Sequence, residues 1–284
     1  MLEKLSLNNI EIFRELYNES NNYESYDKNF FCIYDNQNFV MKFLYRKFVK
    51  LIIVNGIAIG YLWHESPVDR FTRVWSLFIS PKYYNLINER TLSDFNTLIL
   101  AYEELDKNKK NDVLNKLGFE NIRYTNLMHM NLESYNENSS NYKGFKIVKF
   151  QENKDEGLRC HIQNQIFGES SRRELVIEDI YMDMAQDYYI EHLCYFGIEN
   201  YKHIGYGQII NNRGMHTIVN FGIARDSRGK GLGKVLLKAI IIKAKESGIR
   251  DLYIRVDYEN KKAINLYRNI GFIDIDKVLL WERK

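Results

Sequence analysis

Residues 220–237 read NFGIARDSRGKGLGKVLL, and no other stretch restricts the possible folds as tightly. An apolar strand end (Val219, Phe221, Ile223) runs into a short basic loop containing three glycines. A helix follows, whose apolar residues Leu232, Val235, Leu236, Ala239 and Ile240 recur at helical spacing. Gly229, Gly231 and Gly233 stand where the chain must turn sharply and let another molecule approach its backbone. The amides of residues 229–234 open that helix, so they lack partners within it. Beside the positive end of the helix dipole they suit a phosphate or pyrophosphate. Arg225, Arg228, Lys230 and Lys234 add positive charge at the same spot. The stretch is an anion cradle.

Three phosphate-loop patterns compete for it. A P-loop needs Ser or Thr directly after its lysine, and Lys234 is followed by Val235. The dinucleotide fingerprint started at Gly229 needs glycine at Lys234, and it belongs early in a βαβ unit rather than near a C-terminus. The third pattern, Arg-x-x-Gly-x-Gly, is met by Arg228, Gly231 and Gly233. Downstream, residues 251–256 (DLYIRV) read as a strand and residues 260–270 (NKKAINLYRNI) as a short amphipathic helix ended by Gly271-Phe272. Residues 278–281 read as a last strand. With Asn260, Ala263, Tyr267, Gly271 and Phe272 in these places, the chain resembles the GNAT N-acetyltransferase superfamily.

That resemblance implies an α+β fold with a mixed, mostly antiparallel twisted sheet flanked by helices. It also implies acetyl-CoA as co-substrate, held by Ile223, Ala224, Arg225, residues 228–234, Asn260, Ala263 and Tyr267, with no metal. It further implies the backbone N–H of Ile223 as oxyanion donor and Tyr267 as the acid serving the leaving thiolate. The acceptor is expected to be a primary amine of a small molecule or a peptide.

At 284 residues the chain has room for two domains. A faint internal repeat supports that organisation: LNKLGF (114–119) lies opposite YRNIGF (267–272), which sets residues 98–102 on the strand 251–255. We therefore expect tandem copies, a degenerate one over residues 1–135 and an acetyltransferase one over residues 141–284, joined by the polar stretch ESYNENSSNYK at 133–143. In the first copy, helices are expected at 8–17 and 112–117, and strands at 48–54, 58–63, 74–79, 98–102 and 126–132. Asn55-Gly56 marks a hairpin. After the strand ending at Ile79 comes SPKYYNLINERTLSDF, which has no glycine, and Leu114 stands opposite Tyr267. The first copy thus lacks the working parts, and Phe71, Trp75, Tyr83 and Tyr84 are assigned to packing.

In the second copy, strands are expected at 145–150, 192–197, 204–210 and 217–223, with helices near 158–167 and 175–185. Residues 211–214 form a hairpin turn. The resemblance makes residues 167–189 the acceptor side, where Glu169, Glu174, Glu178 and Asp179 would attract a cationic amine. The base stays open: His216, Thr217 and Asn220 are the polar residues of the glycine-loop strand, which has no carboxylate.

A net charge of +3, with no dense basic block outside the loop, gives no nucleic-acid footprint. No apolar run reaches membrane-spanning length, and the charged N-terminus MLEKLSLNNIEIF is unlike a signal peptide. Cys32, Cys160 and Cys194 are odd in number and widely spaced, which suggests neither a disulfide framework nor a zinc site. The expectation is a cytoplasmic protein, monomeric or homodimeric. Two functions remain open, an active N-acetyltransferase and a non-catalytic acyl-CoA-binding regulator.

Overall fold

Two units divide the chain in the computed structural model, which describes residues 1–21, 26–67, 71–108, 110–136, 144–168 and 173–284. The first comprises Met1–Thr125 with Asp276–Lys284, the second Asn126–Ile275. The sequence reading divided the chain at 135–141 instead. The tip of the expected linker, residues 137–143, and Glu169 lie outside the described residues.

In the first unit, β1 (Leu2–Lys4), α1 (Ile10–Ser20), α2 (Phe30–Tyr34) and α3 (Phe39–Lys47) precede β2 (Val49–Val54) and β3 (Ile57–His64). Asn55 and Gly56 both take positive φ (51° and 78°), giving the tight turn that matches strand twist. Then come β4 (Phe71–Ile79), β5 (Ile99–Leu105), α4 (Asn111–Lys116) and β6 (Glu120–Asn131), which runs on into the second unit. Between β4 and β5 there are two 3-10 turns, Pro81–Tyr83 and Glu89–Leu92. Phe13, Phe30, Phe31, Tyr61 and Trp63 form an aromatic cluster, joined by Trp75. A second cluster gathers Leu92, Leu100, Leu114, Phe119, Leu279 and Trp281, with Tyr83 and Tyr84 packed against it.

The strand order here is β1-β2-β3-β4-β5-β12, where β12 (Ile273–Arg283) ends the chain. Residues 278–283 pair antiparallel with residues 100–105 of β5, and Arg283 Nε donates to Leu117 O at 3.1 Å. The sequence placed this strand in the second copy. Its burial decides otherwise, because Leu279 and Trp281 belong to the first unit's core. Three elements escaped the sequence reading altogether: β1, α2 and α3. α2 is five residues of FFCIY, too short to show a period, and α3 leaves Phe39, Val40 and Phe43 exposed, so no buried stripe marks it.

The second unit holds β7 (Phe145–Lys149), α5 (Glu156–Phe167), α6 (Ile177–Met184), β8 (Cys194–Glu199), β9 (Lys202–Asn212), β10 (Met215–Ile223), α7 (Leu232–Glu246), β11 (Asp251–Asp257) and α8 (Lys261–Ile270). Its strand order is β6-β11-β10-β9-β8-β7. β10 runs parallel to β11 and antiparallel to β9, as β4 runs parallel to β5 and antiparallel to β3. Leu232, Leu236, Leu237, Ile240 and Ile241 of α7 are buried with Ile209, Ile218, Leu252 and Ile254 of the sheet. Each such side chain stabilises by about 1.5–3 kcal/mol. α5 contributes Ile162 and Ile166 to a separate cluster with Phe150, Phe196 and Tyr206. The two helix-ending glycines of the repeat, Gly118 and Gly271, both take positive φ (81° and 118°). Among the described residues, no helix is long and apolar enough to cross a membrane.

Candidate functional site

The site begins where β10 leaves β11. Their parallel pairing covers residues 216–218 only, opposite residues 252–254. Between Val219 and Gly222 the register with β9 shifts, and Asn220 sits at φ 51°, a bulge that redirects the strand. Past the bulge β10 still pairs with β9, and Ala224 N donates to Ile204 O at 2.7 Å. Alternation along a strand then turns the N–H of Ile223 the opposite way, to the edge that β11 has left. Gly222 keeps this region tight: a Cβ there would stand 2.3 Å from Ile166 Cγ2 at the end of α5.

A cavity of about 580 Å³ opens at that edge. Ile223, Arg228, Gly229, Gly231, Leu232, Gly233 and Lys234 line it from the loop and the start of α7. Asn260, Ala263 and Tyr267 line it from α8. Gly231 caps α7 at φ 76° and Gly229 has φ 82°; a Cβ at either would meet nothing within 4 Å. These glycines are therefore demanded by backbone conformation, which costs other residues about 1–2 kcal/mol, and they leave the first amides of α7 open to an approaching anion. Asn260 caps α8, its side chain accepting from Ala263 N at 3.1 Å.

Arg228 does something the sequence did not announce. Its Nε donates to Ile223 O at 2.9 Å and its Nη2 to Ile166 O at 2.6 Å, so it ties the loop to β10 and to the end of α5. Ala224, Arg225 and Lys230, also expected around the cofactor, do not line this cavity; Lys230 Nζ lies 3.2 Å from Glu199 Oε2. Conversely, Ile166, Phe167, Phe221, Gly222, Ser227, Lys262 and Leu266 line it without having been assigned to the cofactor. Lys262 and Leu266 stand four residues apart on α8, each directly before an assigned residue (Ala263, Tyr267), a signal present in the sequence. Nothing local marked Ile166, which the fold brings in from α5.

Tyr267 is 7% exposed, and burial pushes its phenol up to about 12. A free thiol titrates near 8.5, so complete proton transfer from Tyr267 to a thiolate is uphill by about 5 kcal/mol. Such a phenol can donate a hydrogen bond to a sulfur without giving up its proton. His216, weighed as a base, pairs with Leu252 at the start of β10, seven residues from Ile223. At strand rise that is about 20 Å away, too far to act. Thr217 is buried and donates to Met215 O. Asp179 accepts from Arg173 and from Val176 N.

Residues 160–272, most of the second unit, match the acetyltransferase (GNAT) family model. Over this stretch the chain is similar to the GNAT acetyltransferases. Among curated relatives, the chain is 22% identical over 160 residues to the mycothiol acetyltransferase of Actinosynnema mirum, 55% of this chain and 54% of the relative. It is 35% identical over 79 residues to the ribosomal protein bS18-alanine N-acetyltransferase of Haemophilus influenzae, 28% of this chain and 53% of the relative. The chain thus spans about half the length of these two relatives. Among solved structures, it is similar to a GCN5-related N-acetyltransferase from Sphaerobacter thermophilus (TM-score 0.64, 17% identity, covering 83% of this chain and 80% of that one). It is also similar to a tandem GNAT protein from the clavulanic acid biosynthesis pathway (TM-score 0.58, 13% identity, 82% and 81%). These likenesses establish the fold, α+β with tandem GNAT-like domains.

Proposed function

We propose that the second unit is an N-acetyltransferase in which an amine directly attacks acetyl-CoA. The carrying observation is that one cavity joins the start of α7, the outward-turned N–H of Ile223 and the phenol of Tyr267. Acetyl-CoA enters as substrate, its pyrophosphate against the amides of residues 229–233, since that of Lys234 already donates to Gly231 O, and its pantetheine arm along the free edge of β10 near Ile223. The amine nitrogen bonds to the thioester carbonyl carbon, and the carbonyl oxygen gains negative charge against the N–H of Ile223. The C–S bond then breaks, sulfur takes the electron pair beside Tyr267, and the nitrogen gives up its proton to solvent or a base not yet assigned.

Three free cysteines, two of them buried, agree with a reducing compartment and support a cytoplasmic protein. The first unit carries 3-10 turns in place of a glycine loop and α7, which supports a non-catalytic role for it.

CoA release over a panel of small amines and peptides tests the reading. Turnover is expected, and Tyr267→Phe should lower kcat about 10- to 10²-fold, the worth of one hydrogen bond to a charged sulfur, with acetyl-CoA affinity unchanged. Tight acetyl-CoA binding without release for any amine would favour the regulatory alternative; an unchanged kcat in Tyr267→Phe would make Tyr267 a packing residue.

A further inference from the structure

A second cavity in the same unit, of about 440 Å³, is lined by Arg159, Gln163, Asp179, Asp183, Tyr188 and Asn220, among others. Asn220 is the bulged residue of β10, and the next three, Phe221, Gly222 and Ile223, line the first cavity. The bulge therefore places the two cavities at consecutive residues of one strand. A nucleophile held in the second stands beside the strand end where the thioester carbonyl would lie.

The wall of this cavity is built around Asp183. One of its oxygens accepts from Tyr188 OH at 2.7 Å; the other accepts from Arg159 Nη2 and from Gln208 Nε2 at 3.2 Å. Arg159 has a side chain 1% exposed and that of Asp183 is 20% exposed, so the carboxylate is the open member of the pair. Three donors fix it; it lies within the 167–189 stretch expected to form the acceptor side, though it was not among the carboxylates named there. The charged residues of the lining are paired, Asp183 with Arg159 and Asp179 with Arg173, while Glu174 and Glu178 on the same segment, outside the lining, make its surroundings acidic. Separately, Gln163 is 1% exposed, lines the cavity, and has its Nε2 without a hydrogen-bond partner among the described residues. A buried amide donor of this kind is costly unless an acceptor oxygen reaches it.

We infer that this cavity holds the acetyl acceptor, with Asp183 as the residue that receives its amine, and that the acceptor is a small cationic amine carrying an uncharged oxygen, such as a hydroxyl or an amide carbonyl. The inference rests on the acetyltransferase reading above. It specifies a class: the surrounding carboxylates attract an ammonium group and repel an acceptor whose own carboxylate lies next to the amine. A free α-amino acid is the disfavoured case, and its alcohol counterpart the favoured one. The volume suits a small molecule or the end of a chain. The amine binds as a cation and loses its proton before attack, so Asp183 is assigned recognition and positioning.

The test compares L-leucinol with L-leucine, amines of similar basicity that differ in carrying a hydroxyl or a carboxylate. With saturating acetyl-CoA, kcat/KM for leucinol should exceed that for leucine at least ten-fold. Asp183→Asn should raise KM for leucinol ten-fold or more, leave KM for acetyl-CoA unchanged, and narrow the leucinol-to-leucine ratio. Equal use of the two amines by the wild-type protein, or an unchanged KM in a folded Asp183→Asn, overturns the inference. If Asp183→Asn misfolds because Arg159 loses its partner, the two-amine comparison still decides on the unaltered protein. If neither amine is acetylated although acetyl-CoA binds, the transferase reading fails separately. Calorimetry of leucinol and leucine on the CoA-loaded protein then decides the pocket: tighter leucinol binding upholds it, equal or weaker binding overturns it.

Discussion

Lys110 Nζ lies 3.7 Å from Asp27 Oδ2 in the first unit and donates to Leu77 O of β4 and to Tyr102 OH of β5. Leu77 is three residues beyond Val74, the last residue of β4 paired with β5, so this cation sits where the second unit has its open strand edge. Asp27 also accepts from Tyr102 OH at 2.7 Å and from Ser76 Oγ at 3.0 Å. The two side chains are 18% and 9% exposed. Breaking so buried a pair leaves one charge uncompensated. Lys110→Met should cost about 2–4 kcal/mol in urea unfolding, with acetyl-CoA affinity unchanged. A second acetyl-CoA site appearing in Lys110→Met would show that the pair merely blocks a working site.

Glu104 of β5 is wholly buried, and neither carboxyl oxygen has a hydrogen-bond partner among the described residues. Burial raises its pKa to about 7, with Lys110 opposing the shift. The folded state therefore favours the protonated form. Its contribution to stability is complete below about pH 4, the unfolded value, and is lost as pH rises to 7. The loss amounts to about 3 kcal/mol at 1.36 kcal/mol per unit. Glu104→Gln should flatten the fall of stability between pH 5 and 8 and be the more stable protein at pH 8. Identical slopes for the two proteins would contradict the assignment.

Gly222 and Ile166 are predicted to be coupled. Gly222→Ala forces its Cβ against Ile166 Cγ2 and displaces the end of α5, which Arg228 also holds. Acetyl-CoA affinity should fall ten-fold or more. Adding Ile166→Ala removes the clash and should recover most of that loss, a non-additivity of about 1 kcal/mol or more in a double-mutant cycle. Simple additivity would place the effect elsewhere.

A fragment covering residues 141–284 contains every motif of the glycine-loop half, yet it should aggregate or lose most activity. It omits Met128, Met130 and Leu132, which are buried in the second unit's core, and keeps Leu279 and Trp281, which belong in the first unit's core. A fragment of residues 126–275 should fare better. Full activity and solubility in the 141–284 fragment would show that these strands contribute little to folding.

The second unit was largely legible because its signals are local. Glycines at 229 and 231, the capping Asn260 and the helical stripes of α7 and α8 each report on a few neighbours. What escaped depends on contacts distant in sequence. Val278–Trp281 reads as a strand in isolation, but only the burial of Trp281 with Tyr102 assigns it to the first unit. Arg228 reads as phosphate-binding charge, although two backbone carbonyls 5 and 62 residues away take two of its five donors. Asp183 looked like one more acid on a polar helix until Arg159, Tyr188 and Gln208 converged on it.

The central claim, that acetyl-CoA binds through the glycine loop of the second unit, is tested most directly by calorimetric titration of the intact protein with acetyl-CoA. Gly231 sits at φ 76°, where glutamate would be strained and would set a carboxylate against the incoming phosphates. We predict one site per chain, abolished in Gly231→Glu. Two equivalent sites per chain, or full affinity retained by Gly231→Glu, would contradict it.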